Sequence, residues 1–410
     1  MQSELRKKIG FTLFILILAR IGIYIPVSGI NHSSLYKSFE NNILSNIFNL
    51  ISGGGSSTIG LFSLGIAPYI NASIIIQIGI KIIPFLEDLQ TNEGESGRKK
   101  ITQITRIFTF LWSIIQSCFI TLWLKPYVFN WDLIFIINTV ISLTTGAIII
   151  LWLGEMITQK GLGNGYSLLV FHNIISSIPY LYKTGNNHFS STEIFIITVV
   201  WYVVIIGAIF LQEGVKCIQI ISLKQLSFLE NYTKNNYIPF KLNHGNIMPL
   251  ILSSGTITFE TFIANILIGN QRMHYKLLFY SILKLYRNLS IIIYIFFSYL
   301  YSTLTRNPKE ISKVLKNQSV SIIGVKPGKK TTFYLSEILS QLTFIGSIFC
   351  LFGLAIVPYL ASSVTHLNVF QGIGVTSLMI LVGVAIDVTK QIRTYTISAI
   401  YDEIINNTTM

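Results

Sequence analysis

Charge is scarce in this chain. Only 11% of its 410 residues are Asp, Glu, Lys or Arg, against 51% hydrophobic, and the mean hydropathy is +0.61. Soluble domains carry roughly 25% charged residues, so a soluble fold is excluded. Acidic residues are scarcer still: 17 Asp plus Glu face 30 Lys plus Arg, for a formal net charge of +13. Three cysteines, Cys118, Cys217 and Cys350, lie far apart and match no metal-ligand spacing; buried apolar fillers are the expectation. The six histidines do not cluster, and His172 and His244 read as polar helix-end residues rather than ligands. There is no Ser/His/Asp set, no pair of carboxylates and no nucleotide-binding loop. GLGNGYS (161–167) contains Gly-x-Gly, but it follows an apolar run and no βαβ unit can be built around it, so a tight turn is the reading.

What the chain has is apolar length. Runs recur at 9–27, 64–83, 107–124, 133–153, 166–182, 194–212, 247–268, 288–304, 341–360 and 375–389. A helix needs about 20 largely apolar residues to cross a bilayer, so ten spans are expected, the last being the shortest. The N-terminal run ends in Arg20 and Pro26 without a small-residue cleavage site, and it reads as a retained first span rather than a signal peptide. No Arg/Ser-rich transit segment precedes it, and heavy use of Asn, Ile, Lys and Tyr suggests an AT-rich genome, as in an organelle or a reduced bacterium.

With the N-terminus inside, most Lys and Arg fall in inside loops, at Arg6 to Lys8, Arg98 to Arg106, 213–246, 305–340 and 390–393. This follows the positive-inside rule; the cluster Arg272, Lys276, Lys284 and Arg287 runs against it. The basic loops 213–246 and 305–340 are too large for simple turns. Gly324, Pro327 and Gly328 predict a turn that presents Lys326, Lys329 and Lys330, a surface for an anionic partner.

Ten spans divide into halves, 1–182 and 183–410, of five spans each. An odd number per half makes the halves antiparallel, an all-α inverted-repeat membrane architecture. The second span of each half carries one device: Pro68 with Ile70 two residues on, and Pro249 with Ile251, each followed by small polar residues. Proline removes a helical hydrogen bond. Loose backbone at bilayer depth survives only where protein or water surrounds it. Ile70 and Ile74, like Tyr166 and Val170, are four apart and share a helix face. Beside proline and glycine, such a face can form a hydrophobic constriction that gates by dewetting; lipid-facing or core packing is the plainer alternative. Glu260 is the one acid placed inside a span, which leaves a solute transporter open, while a multi-pass enzyme lacks clustered polar residues. Glu155 and Asp387 fall at inner span ends, and Arg20 at an outer end where it can snorkel.

Several long motifs then resemble, in order, the SecY family of protein-translocase channel subunits. They are FNLISGG (48–54), LGIAPYINASIIIQ (64–77), EGESGRKKITQITR (93–106), WLGEMITQKGLGNGYSLLVF (152–171), IPFKLNHGNIMPLILSS (238–254), GVKPGKKT (324–331), LTFIGSIF (342–349) and GVTSLMILVGVAIDV (374–388). The resemblance implies a passive protein-conducting channel with no cofactor and no catalytic or metal site. It implies a pore ring of Ile70, Ile74, Tyr166, Val170, Ile251 and Ile380, where Tyr166 departs from the usual aliphatic. It places a plug at about 46–62, with Phe48, Asn49, Ser52, Gly53 and Gly54 within it. It implies a lateral gate between spans 2–3 and 7–8, with Gln77 and Asn243 as polar gate residues, and cytosolic docking through Arg98, Lys99, Lys326, Lys329 and Lys330. Lys326 stands where the family usually has arginine, keeping the charge but losing the planar fork. Implied partners are a SecE-like single-span subunit, with or without a SecG-like one, a SecA-type ATPase motor or the ribosome, signal sequences of preproteins, and membrane lipid. The implied location is a plastid thylakoid membrane, with a bacterial inner membrane as the alternative.

Overall fold

The computed structural model describes residues 2–32, 34, 59–91, 94–184, 191–222, 236–242, 249, 292, 294–303, 305–350 and 375–408. The plug residues Phe48, Asn49, Ser52, Gly53 and Gly54, and also Ile251, Asn243 and Glu260, lie outside these. The chain divides into two compact units, residues 1–188 with 366–410, and residues 189–365.

The first unit is helical. It contains α1 (Gln2–Tyr24), α2 (Ala67–Ile82), α3 (Pro84–Thr91), α4 (Gly94–Trp123), α5 (Leu133–Lys160), α6 (Gly165–Thr184) and a long C-terminal helix (Val375–Thr408). Among the described residues, α4 and α5 are long and apolar enough to cross a membrane, and α2 with α3 forms a third candidate bent by 98° at Pro84. The charged stretch 94–106 departs from the loop that its composition suggests. It is the first part of α4, because Glu, Lys, Arg and Gln are good helix formers and Glu95 sits in the first turn. Gly94, at φ +58, makes the break before it.

Along α4, Gly97, Thr105, Thr109, Ser113, Ser117 and Thr121 are buried four or more residues apart, a seam of small side chains. Their hydroxyls bond back to carbonyls three or four residues earlier, as in Thr109 to Thr105 at 2.7 Å and Ser117 to Ile114 at 2.8 Å. No polar group on this seam therefore needs water, and α2 and α5 pack closely against α4.

Ahead of α2, residues 59–66 are wedged between α1 and α5. Val27 donates to the Ile59 carbonyl at 3.0 Å and Leu61 to the Ile25 carbonyl at 2.9 Å, and Pro26 bridges Gly60. Glycine is required on both sides. A Cβ on Gly60 would stand 1.8 Å from the Ile23 carbonyl oxygen, and one on Gly146 of α5 would stand 1.9 Å from that of Leu61. Val27, Ile30, Ile59, Leu64, Leu124, Leu143 and Ala147 close over the backbone as one apolar core.

The second unit contains α7 (Ser191–Glu213), β1 (Val215–Ser222), β2 (Tyr237–Lys241), α8 (Pro308–Asn317), β3 (Val320–Ile322) and α9 (Lys329–Ile348). The two large basic loops meet here as one antiparallel sheet of order β2-β1-β3, with Cys217 opposite Pro239 and Ile221 opposite Ser321. Ile218, Phe240, Leu315, Ile322, Leu335, Ile338, Leu339 and Leu342 form its core. Helical residues 294–303 reach α9 through Tyr299, whose hydroxyl donates to the Ser340 carbonyl at 3.3 Å, and through a Thr343–Ser302 hydroxyl pair at 2.9 Å.

Candidate functional site

Helix α2 begins with Pro at its second position, where no intrahelical hydrogen bond is lost. Ile70 donates its N–H to the Ile66 carbonyl at 3.1 Å. Ile66, Ile70 and Ile74 therefore make one row. Ile66 and Ile74 are buried and Ile70 is half-buried. The four-residue spacing of Ile70 and Ile74, taken one turn back, reaches Ile66 on the same face. Ser73 returns its hydroxyl to the Ile70 carbonyl at 2.8 Å, so the polar residue after the proline is satisfied within the helix. Gln77 is half-buried one turn further on.

The glycine turn before α6 is built by side chains. Asn164 accepts from the Tyr166 N–H at 3.1 Å, and Thr158 of α5 accepts from the Gly165 N–H at 3.0 Å. A Cβ on Gly165 would lie 2.0 Å from the Gly154 carbonyl oxygen, so α5 and α6 touch backbone to backbone. Gly163, at φ +78, donates its N–H to Gln391 Oε1 of the C-terminal helix, labelled α10 from here, at 2.6 Å. Helix α10 packs along α6, and Lys8 of α1 reaches it by donating to the Tyr395 hydroxyl at 2.9 Å. Ile380, on α10, is buried. The described positions of the expected ring thus lie on α2, α6 and α10, all within the first unit.

Tyr166 stacks on Tyr69, with ring centroids 3.9 Å apart and planes inclined by 27°. Val170, one turn on, is half-buried. Next to Gly154, Glu155 of α5 accepts two hydrogen bonds from Arg106 of α4, at 2.6 and 2.7 Å. Glu155 is 14% exposed and Arg106 47%, so the carboxylate is the more desolvated partner. Arg106→Ala is expected to destabilise the chain by about 1–2 kcal/mol, the buried-pair penalty reduced by solvent at the guanidinium. Thermal unfolding of the purified protein in detergent checks this, and the exchange Arg106→Glu with Glu155→Arg should recover most of the loss.

At the C-terminal end of α1, Arg20 donates to the Tyr24 hydroxyl at 2.9 Å. Among the described residues, no three His, Cys, Asp or Glu side chains gather to hold a metal. Cys118, Cys217 and Cys350 are free thiols, and only Cys350 is buried, so apolar filling describes that one alone. His172 is on α6, with Nε2 buried and unbonded.

Lys326, Lys329 and Lys330 are exposed around a turn in which Val325 donates to the Ile322 carbonyl at 3.2 Å. Gly324 and Gly328 take positive φ there, and Thr331 with Ser312 closes over the Gly328 carbonyl. Arg98 and Lys99 are exposed on the first turns of α4.

The profile of the SecY family matches residues 60–389. The protein translocase subunit SecY of Porphyra purpurea is 46% identical over 405 residues, covering 98% of both chains. That of Synechocystis sp. is 41% identical over 419 residues, covering 98% of this chain and 95% of the relative. Among solved structures, a protein-conducting channel superposes with a TM-score of 0.61 at 15% identity, covering 96% of this chain and 93% of the other. Sec61 from a canine ribosome–channel complex superposes with a TM-score of 0.55 at 14% identity over the same shares. At those identities the structural likeness speaks for the fold.

Proposed function

This chain belongs to the SecY family, and on that premise we propose how it works as the channel subunit of a protein translocase. The observation that carries this reading is identity of 46% along 98% of both chains to a translocase subunit SecY. Likeness in fold to a protein-conducting channel stands beside it.

Ten spans in two inverted halves, 1–182 and 183–410, surround an hourglass pore. Its waist is closed by Ile70, Ile74, Tyr166, Val170, Ile251 and Ile380, with Ile66 extending the row on α2. A narrow aliphatic ring excludes water when empty and yields to varied side chains when a polypeptide passes. The plug, with Phe48, Asn49, Ser52, Gly53 and Gly54, closes the outer funnel. Gln77 and Asn243 border the lateral gate, through which signal helices reach lipid. A SecE-like single-span subunit braces the chain, with or without a SecG-like one. Energy comes from a SecA-type motor or a translating ribosome, since the sequence offers no nucleotide-binding loop. Algal and cyanobacterial relatives favour a thylakoid membrane over a bacterial inner membrane.

Reconstitution tests this. The chain, co-purified with its single-span partner, should carry a signal-bearing preprotein into proteoliposomes when motor and ATP are supplied. A motor that hydrolyses ATP on these vesicles without protecting any preprotein from protease would overturn it. Lys326→Glu reverses charge at the exposed turn and is expected to lower motor-driven transport while leaving the amount of membrane-inserted chain unchanged. Normal transport in that variant would remove Lys326 from the docking surface.

A further inference from the structure

We infer that Tyr69 belongs to the seal of the channel, as the stacking partner that holds Tyr166 across the seam between α2 and α6; this rests on the channel reading above. Tyr69 immediately precedes Ile70, and Tyr166 stands one turn before Val170 on the neighbouring helix. Their rings are stacked with centroids 3.9 Å apart. The contact therefore joins the two helices that carry four of the proposed ring positions.

Tyr166 is fixed from a second side. A Cβ on Gly154 would lie 2.7 Å from Tyr166 Cδ1 and 3.0 Å from Cε1, so the ring lies on bare backbone of α5. The Arg106–Glu155 pair at 2.6 Å, starting at the next residue, anchors this end of α5 to α4. Helices α2 and α5 thus both meet the ring of Tyr166, and α4 is tied to α5 beside it. Aliphatic side chains meet without a preferred orientation, whereas stacked rings hold a defined one. Widening of the ring moves α2 against α6 and must first unstack the pair, and a weak signal sequence has less binding energy with which to drive that widening. The tyrosine at 166 is therefore half of a two-residue latch rather than a bulkier copy of an aliphatic ring residue.

The test compares Tyr69→Leu, Tyr166→Leu, the double variant and Tyr69→Phe in the chain co-purified with its single-span partner. Two quantities are read: ion conductance of the idle channel in planar bilayers, and transport of a preprotein with a weakened signal. Each leucine variant is expected to raise both by roughly two- to tenfold, the bias of one aromatic pair. The double variant should match the larger single effect, because one contact is lost in all three. Tyr69→Phe keeps the ring face but loses the hydroxyl hydrogen bond to Tyr166, so it should fall between the parent and Tyr69→Leu. If Tyr69→Leu fails to accumulate, Tyr69→Met keeps volume without a ring and carries the same expectation. Parental conductance and stringency in Tyr69→Leu or Tyr69→Met, or additive effects in the double, overturn the latch. If the parent carries preprotein while that happens, the channel reading stands and only the role of Tyr69 falls.

Discussion

Ile380→Asn is expected to raise the ion conductance of the idle channel by between about fivefold and a hundredfold. Ile380 is 9% exposed on α10, which packs along α6, the helix that carries Tyr166 and Val170. An amide in its place loses roughly 1–3 kcal/mol if it stays dry. Hydration of the waist relieves that cost, and an energy of this size shifts the wet-to-dry balance by the stated factor. Weak signal sequences should gain transport in the same variant, because a wet waist is already partly open. Single-channel recording, together with transport of a signal-impaired preprotein, measures both. Ile397→Asn serves as the comparison: Ile397 is 43% exposed further along α10, and its replacement should change neither quantity. Unchanged leak and unchanged stringency with Ile380→Asn would take that residue out of the ring.

Gly146→Ala should remove most folded protein from the membrane. The added Cβ would meet a backbone carbonyl oxygen at 1.9 Å, with Phe62 at 3.3 Å behind it. The 59–66 segment cannot give way without straining the Val27–Ile59 and Leu61–Ile25 hydrogen bonds. Overpacking of a tight core costs about 1–3 kcal/mol, and a backbone clash lies at or beyond the upper end. Gly10→Ala, with nothing within 4 Å of its Cβ, should be neutral or slightly stabilising through helix propensity. Steady-state amounts and unfolding temperatures of the two variants give the comparison. Equal amounts would mean that 59–66 does not rest on α5.

These effects arise from contacts of different visibility in the sequence. The apolar runs announce helices, and the turn at GLGNGYS is where its glycines place it. Arg106 and Glu155 sit at the same end of adjacent spans, so the pair was within reach of the topology, though their bidentate geometry was not. The start of α4 is hidden because dense charge reads as a loop, whereas Glu, Lys and Gln extend a helix ahead of the apolar run. The sheet that joins the two basic loops was not visible, since β1 and β3 pair across a separation of about a hundred residues and each strand alone is short. The Tyr69–Tyr166 stack was hidden for a related reason: periodicity within one helix says nothing about which ring another helix brings alongside. Along α2, four-residue spacing gives Ile70 and Ile74, and the same spacing taken back past the proline reaches Ile66, buried on that row.

The hydrogen bond from Val27 to Ile59, beside the Pro26–Gly60 bridge, ties the chain at 26–27 to the chain at 59–60. The tie is seated on α1 and α5, so a pull that enters ahead of residue 59 ends there, on backbone hydrogen bonds and a dry core, before it reaches α2. Helix α2 is thereby insulated from strain that arrives from its N-terminal side.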